Sequence, residues 1–202
     1  MNTRRGLLFV LAGAALLAGC DKFGLPGTSK PAFNGIDITG AEYGRQLALP
    51  DIDGKPRQLA DFKGKVTVVF FGYTQCPDVC PSTMAELAQI KRALGPDGDR
   101  VQALFVTVDP ERDTPEILRA YLGSFDPSFV ALRGSPEQIA AAAKEFKVFY
   151  AKVPGKTPGS YTMDHTAGSY LFDPQGRLRL FVRFGTPTDA VTADLKQLLK
   201  AG

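Results

Sequence analysis

Val66-Thr67-Val68-Val69-Phe70-Phe71-Gly72-Tyr73-Thr74-Gln75-Cys76-Pro77-Asp78-Val79-Cys80-Pro81 is the stretch that decides the fold. Its first six residues are an unbroken β-branched and aromatic run, the pattern of a strand buried on both faces. Downstream, Met84, Leu87, Ile90 and Leu94 fall on one face of a helix that Gly95-Pro96 ends. In open α/β sheets, reactive groups gather at the strand ends that lead into such helices. Pro81 disfavours helical geometry at Cys80, and inside a helix its ring would clash with the carbonyl of residue 77. The spacing therefore predicts a turn through the cysteine pair and a helix starting near Pro81. Cys80 is thereby expected at a helix N-terminus, where free N–H groups and the dipole favour a thiolate.

The same alternation continues along the chain. Val101–Val108 reads as a second buried strand. Thr114 is placed to cap a helix whose first residue is Pro115, with Ile117, Leu118, Tyr121 and Leu122 inward. Ser135-Pro136-Glu137 opens another helix that runs to Phe146, and Val148–Val153 reads as a strand. Ser169–Phe172 and Leu178–Phe184 flank the turn sequence Asp173-Pro174-Gln175-Gly176, which predicts an antiparallel hairpin. Thr188–Lys200 is a closing helix with Val191, Leu195, Leu198 and Leu199 on one side. Strands and helices in this order argue for an α/β sandwich with a mostly parallel centre. The Pro- and Gly-containing Lys144–Tyr161 stretch is expected as an exposed loop or hairpin near the ligand-facing side.

The 202 residues are 44% hydrophobic and 22% charged, with 21 Gly and 15 Pro, which excludes wholesale disorder and collagen-like repeats. A mean hydropathy near zero and a single long apolar run exclude a multi-span membrane protein. The net charge of +3 drops to +1 once residues 1–19, with Arg4 and Arg5, are set aside. That balance makes no case for a nucleic-acid partner, whose binders carry a clustered basic face.

Met1–Arg5 is basic, Leu7–Leu17 is apolar, and Leu17-Ala18-Gly19-Cys20 closes with small residues. This is the plan of a secretory signal over 1–19, its apolar run short for a membrane span; the alternative is an uncleaved anchor helix. Leu-Ala-Gly-Cys resembles a bacterial lipobox, which implies lipidation of Cys20 and stable membrane attachment through several acyl chains. Thr3-Arg4-Arg5-Gly6-Leu7-Leu8 also resembles a twin-arginine export signal. Asp21 after that cysteine resembles the signal that keeps enterobacterial lipoproteins at the inner membrane. Residues 20–35 lack apolar periodicity and read as a tether to a domain over 36–202.

With Cys20 assigned to lipid, the folded part keeps Cys76 and Cys80 in a compartment that permits disulfides. Folded on a turn, the two sulfurs can share a metal ion or bond to each other. A purely structural staple is the weaker case, because a domain this large buries its own core and so short a loop gains little. His165 is the only histidine. A lone histidine is ordinarily a surface or core group, but this one precedes a strand expected beside Val66–Phe71 and supplies a third donor. Two Cys and one His suit copper in either oxidation state or zinc, and thiolates favour Cu(I). Asp164 is a candidate acceptor for the imidazole. Asp109, Arg112 and Asp113 read as a helix-capping turn, with a site-edge or docking role as the alternative. Met84 and Met163 read as core filler rather than ligands.

The run Gly72–Pro81, the later Val108-Asp109-Pro110-Glu111-Arg112-Asp113-Thr114-Pro115 and Asp164-His165-Thr166 resemble the Sco/SenC family over residues 36–200. The resemblance implies an α/β thioredoxin-like fold with a central mixed sheet flanked by helices. It implies copper, Cu(I) or Cu(II), as cargo, and assembly of the copper A centre of cytochrome c oxidase. The family's ligands carry over onto Cys76, Cys80 and His165. Implied partners are cytochrome c oxidase subunit II or a similar copper acceptor, a periplasmic thiol reductant, and the membrane. The place implied is the periplasmic face of the bacterial inner membrane, with a lipid anchor at Cys20 where other members carry a transmembrane helix.

Two functions compete. One is a metallochaperone whose Cys76–Cys80 disulfide must be reduced before copper binds. The other is a thiol–disulfide oxidoreductase that uses Cys76 and Cys80 as a redox pair on oxidase or other cysteines without metal. Three residues rather than two between the cysteines, and a histidine that exchange does not need, count against the second. A peroxide reductase lacks its Pro-x-x-x-Thr-x-x-Cys arrangement here.

Overall fold

In a computed structural model that describes residues 32–200, ten strands and four helices alternate. The strands are β1 (Ile36–Asp37), β2 (Ala48–Pro50), β3 (Pro56–Gln58), β4 (Val66–Gly72), β5 (Val101–Thr107), β6 (Val130–Leu132), β7 (Tyr150–Pro154), β8 (Tyr161–His165), β9 (Gly168–Phe172) and β10 (Leu178–Arg183). The helices are α1 (Val79–Ala93), α2 (Pro115–Gly123), α3 (Pro136–Glu145) and α4 (Thr188–Lys200). The expected signal segment 1–19, the lipidation at Cys20 and most of the tether 20–35 lie outside the described residues. Hydrogen bonding reaches back to the end of that tether: the Asn34 and Gly35 N–H groups donate to the Asp194 carboxylate on α4 at 2.9 and 2.7 Å.

Every residue of β4 and β5 is buried, as their continuous apolar runs require. They pair in parallel at the centre of a six-stranded sheet ordered β1-β10-β9-β4-β5-β6. The sheet is less parallel than the pattern predicts: β4, β5 and β6 run together, whereas β9, β10 and β1 add antiparallel neighbours. The cause is the β9–β10 hairpin, which needs no crossover. This mixed sheet flanked by helices is the expected thioredoxin-like class. Phe70, Phe71, Phe105, Phe146 and Phe172 are fully buried about it.

The helices obey their local signals. Met84, Leu87 and Ile90 of α1 are buried, and the left-handed φ of Gly95 (58°) turns the chain away after it. Thr114 Oγ1 accepts the Ile117 N–H, and Ser135 and Gln138 form a reciprocal capping box at α3. Leu118 and Leu122 carry the packing of α2. Ile117, expected inward, is 43% exposed, because it lies about 100° around the helix from Leu118. The predicted strand from Val148 starts two residues later, at Tyr150. Val148 is spent closing α3, its N–H donating to the Ala143 carbonyl after a left-handed turn at Lys147 (φ 55°). β7 and β8 then form a separate antiparallel hairpin, with Tyr150 opposite His165. Among the described residues no helix is long and apolar enough to cross a membrane.

Candidate metal centre

β4 ends at Gly72 and α1 begins at Val79, so Cys76 lies on the turn between them and Cys80 in the first helical turn. The helix starts two residues earlier than expected. Pro81 is tolerated there because a first-turn residue has no intrahelical N–H bond to lose, and residue 77 lies outside the helix. Cys80 is fully buried beneath the strand end and Cys76 is half-buried above it; both are free thiols. Gly72 makes room for this. A Cβ there would stand 2.8 Å from the Cys80 Sγ and 2.7 Å from the Phe70 ring.

His165 arrives from β8. Residues two apart on a strand share a face, so Tyr161, Met163 and His165 point inward and Thr162 and Asp164 outward. The imidazole stands edge-on to the rings of Phe70 and Tyr73, at 5.9 and 6.0 Å between centroids. Its Nδ1 is 3.1 Å from the Thr166 carbonyl, which only accepts, so Nδ1 carries the proton. Asp164, expected as that acceptor, is exposed on the opposite face of the strand, and the Thr166 carbonyl takes its place. The remaining Nε2 lone pair lies 3.4 Å from the Cys80 Sγ. Nε2 and the two sulfurs all fall within 4.8 Å of one another.

The electrostatics reverse one expectation. The thiolate favoured by the helix N-terminus is Cys76, not Cys80, because the Cys80 N–H is aimed back at the Cys76 Sγ, 3.4 Å away. The Cys80 S–H, together with backbone N–H groups of Asp78 and Cys80, outweighs burial and holds the Cys76 thiol at about 5. The Cys80 thiol is pushed up by the Cys76 sulfur beside it and by burial. With Cys76 favoured as the thiolate, one S–H on Cys80 faces both the Cys76 sulfur and Nε2, so two soft sulfurs and a borderline nitrogen aim lone pairs at one point. A soft cation satisfies all three.

Three charged residues expected at a capping turn belong to this site. Asp113 is fully buried, and its carboxylate accepts from Thr107 Oγ1 at 2.5 Å and from Thr74 Oγ1 at 2.6 Å. It thereby ties the residue two before Cys76 to the end of β5, while Thr114 alone caps α2. Burial pushes the Asp113 carboxyl up. Asp109 and Arg112 pair with each other and reach Tyr161 of the hairpin. Met84 and Met163 are buried apolar packing, as expected. The roles of Gly72, Thr74 and the Thr166 carbonyl had no signal in the chain, since each depends on a neighbour in space.

Residues 37–200 match the family model described as SCO1/SenC. The mouse mitochondrial SCO2 homolog is 40% identical over 132 residues, 64% of this chain and 52% of its own length. The chain thus spans about half the length of that curated relative. Bradyrhizobium japonicum ScoI, solved with copper bound, is 45% identical with a TM-score of 0.70, over 78% of this chain and 99% of that one. A SCO1/SenC family lipoprotein from Bacillus anthracis is 28% identical with a TM-score of 0.67, over 83% of this chain and 99% of that one. A match that spans nearly the whole described domain, with the cysteine turn and the distal histidine in place, leaves one assignment: the chain belongs to the SCO1/SenC family.

Proposed function

We propose that the protein is a copper metallochaperone: Cys76, Cys80 and His165 hold one copper ion and pass it to the copper A centre of cytochrome c oxidase. The observation that carries this is the convergence of the two sulfurs and Nε2 within 4.8 Å. The relative solved with copper bound supports the choice of metal. Two thiolates and an imidazole match the softness of Cu(I) and also accommodate Cu(II). Three protein donors leave a coordination position open, through which an acceptor's thiolates displace them one at a time. Half-buried Cys76 is the donor exposed to that attack, and Cys80 stays anchored below. A Cys76–Cys80 disulfide removes both sulfur donors, so a periplasmic dithiol must reduce the pair before loading. A lipid on Cys20, retained by Asp21 at the periplasmic face of the inner membrane, anchors the domain; the lipobox and a lipoprotein within the family support the lipidation.

Copper titration of the reduced chain tests the proposal. One ion per chain, with thiolate-to-Cu(II) absorption, is expected, and absence of binding overturns it. The second reading, a thiol–disulfide oxidoreductase acting on oxidase or other cysteines, is favoured by one observation. Cys76 is a half-exposed thiol with a depressed pKa beside a buried partner, the arrangement of an attacking and a resolving cysteine.

A further inference from the structure

We infer that Arg112 is a positioning residue that latches the β7–β8 hairpin, and with it His165, onto the cysteine turn. The inference rests on the copper reading above and names what holds its third ligand in place. The hairpin is a two-stranded sheet that joins no strand of the main sheet, and such ribbons are marginal alone. One end continues covalently through Thr166 and Ala167 into β9. The other end, at Tyr161, depends on side chains.

There the Arg112 guanidinium lies 3.6 Å from the centroid of the Tyr161 ring, and its Nη1 donates to the Tyr161 carbonyl at 2.9 Å. The same Nη1 donates to Gln75 Oε1 at 3.1 Å, one residue before Cys76. Its Nε donates to Asp109 Oδ2, and the Tyr161 hydroxyl donates to Asp109 Oδ1 at 2.9 Å. Asp109 is 1% exposed at the end of the second buried strand. One planar cation therefore binds the strand end, the cysteine turn and the hairpin at once. Among the described residues, the ion pair that reaches the hairpin itself, Lys152 with Glu111, is exposed on both sides and holds it weakly. Tyr161 and His165 share the inward face of β8, so fixing one end of that short strand fixes the direction of the other. A lysine keeps the charge but lacks the fork and the stacking plane.

The test uses the full reduced chain as wild type, Arg112→Met, Arg112→Lys and Tyr161→Ala, the last keeping the Arg112–Asp109 pair in case the methionine variant does not fold. Without metal, amide hydrogen exchange over Tyr161–His165 is expected to rise about tenfold in Arg112→Met and Tyr161→Ala, with β4 and β5 unchanged. With copper, competition against a chelator is expected to show about tenfold weaker binding in both, and less than half of it recovered by Arg112→Lys. In a His165→Ala background the Arg112→Met change should weaken copper binding several-fold less than in the wild type, because the share of its effect that passes through the imidazole is gone and only the Gln75 contact on the cysteine turn remains. Wild-type values for hairpin exchange or for copper affinity, or an undiminished effect without His165, overturn the assignment. A wild-type chain that takes up no copper sinks the copper reading instead, and hairpin exchange alone then decides the latch.

Discussion

The Cys80 Sγ and the His165 Nε2 stand 3.4 Å apart although 85 positions separate them in the chain. The antiparallel pairing of β9 with β4, Ser169 opposite Phe70, brings the segment before β9 over the end of β4 where the cysteines lie. The last residue of β8 then points into the site rather than away from it.

His165→Ala removes the nitrogen and leaves both thiols. Copper affinity of the reduced protein, read by competition with a chelator, should fall by more than the about 10–100-fold typical of losing a ligand's hydrogen-bond partner. Exchange of the thiols with a small disulfide should persist. Undiminished affinity would strike His165 from the ligand set.

In the reduced, metal-free protein, Cys76 should be alkylated well before Cys80. The thiolate is the reactive form, and a thiol held at about 5 is mostly thiolate at neutral pH. The rate of the first adduct should therefore climb as pH rises through that value and then level off. Cys80, buried and with its thiol pushed up, should react only on unfolding. Peptide mapping that finds the first adduct on Cys80 contradicts the assignment.

Gly72→Ala should destabilise the fold and loosen the site together. The added methyl meets the Cys80 sulfur at 2.8 Å and the Phe70 ring at 2.7 Å, and overpacking of this kind costs about 1–3 kcal/mol. Urea unfolding should show the loss, and copper binding should weaken as Cys80 is displaced. An unchanged midpoint together with unchanged affinity rules out the tight fit.

Asp173 offers a stability test remote from the site. Its buried carboxylate accepts the Gln175 and Arg177 N–H groups at 3.1 and 3.0 Å and the side chains of Arg177 and Arg179 at 2.8 and 3.0 Å. Burial alone would raise its pKa, but these bonds hold it below the usual carboxylate value. The stabilisation is therefore complete above the unfolded value of about 4 and is lost as pH falls through the lower folded value. Asp173→Asn should cost about 1–3 kcal/mol at neutral pH and flatten the loss of stability in acid. Denaturant titrations of both proteins at neutral and acid pH check this, and parallel curves refute it.

Legibility followed the range of the forces involved. β4 and β5 were plain because an unbroken apolar run reports its own burial, and α2 and α3 because Thr114 and Ser135 bond within their own first turns. The strand expected at Val148 began late because that residue's N–H is taken by α3, a bond no local pattern announces. Asp113 read as a capping residue because its true partner, Thr74, lies 39 positions away.

The amino-acid sequence by itself determined the donor chemistry, two sulfurs on a strand–turn–helix junction and one histidine beside a later strand. Proline sterics, capping and hydrophobic periodicity act over a few residues, so they can be read along the chain. Only the tertiary structure decided that Cys76 is the favoured thiolate, that Gly72 clears the Cys80 sulfur, and that a backbone carbonyl rather than Asp164 orients the imidazole. Each of those outcomes is set by the distance and direction of a group reached through folding, and neither quantity is encoded in residue type or spacing alone.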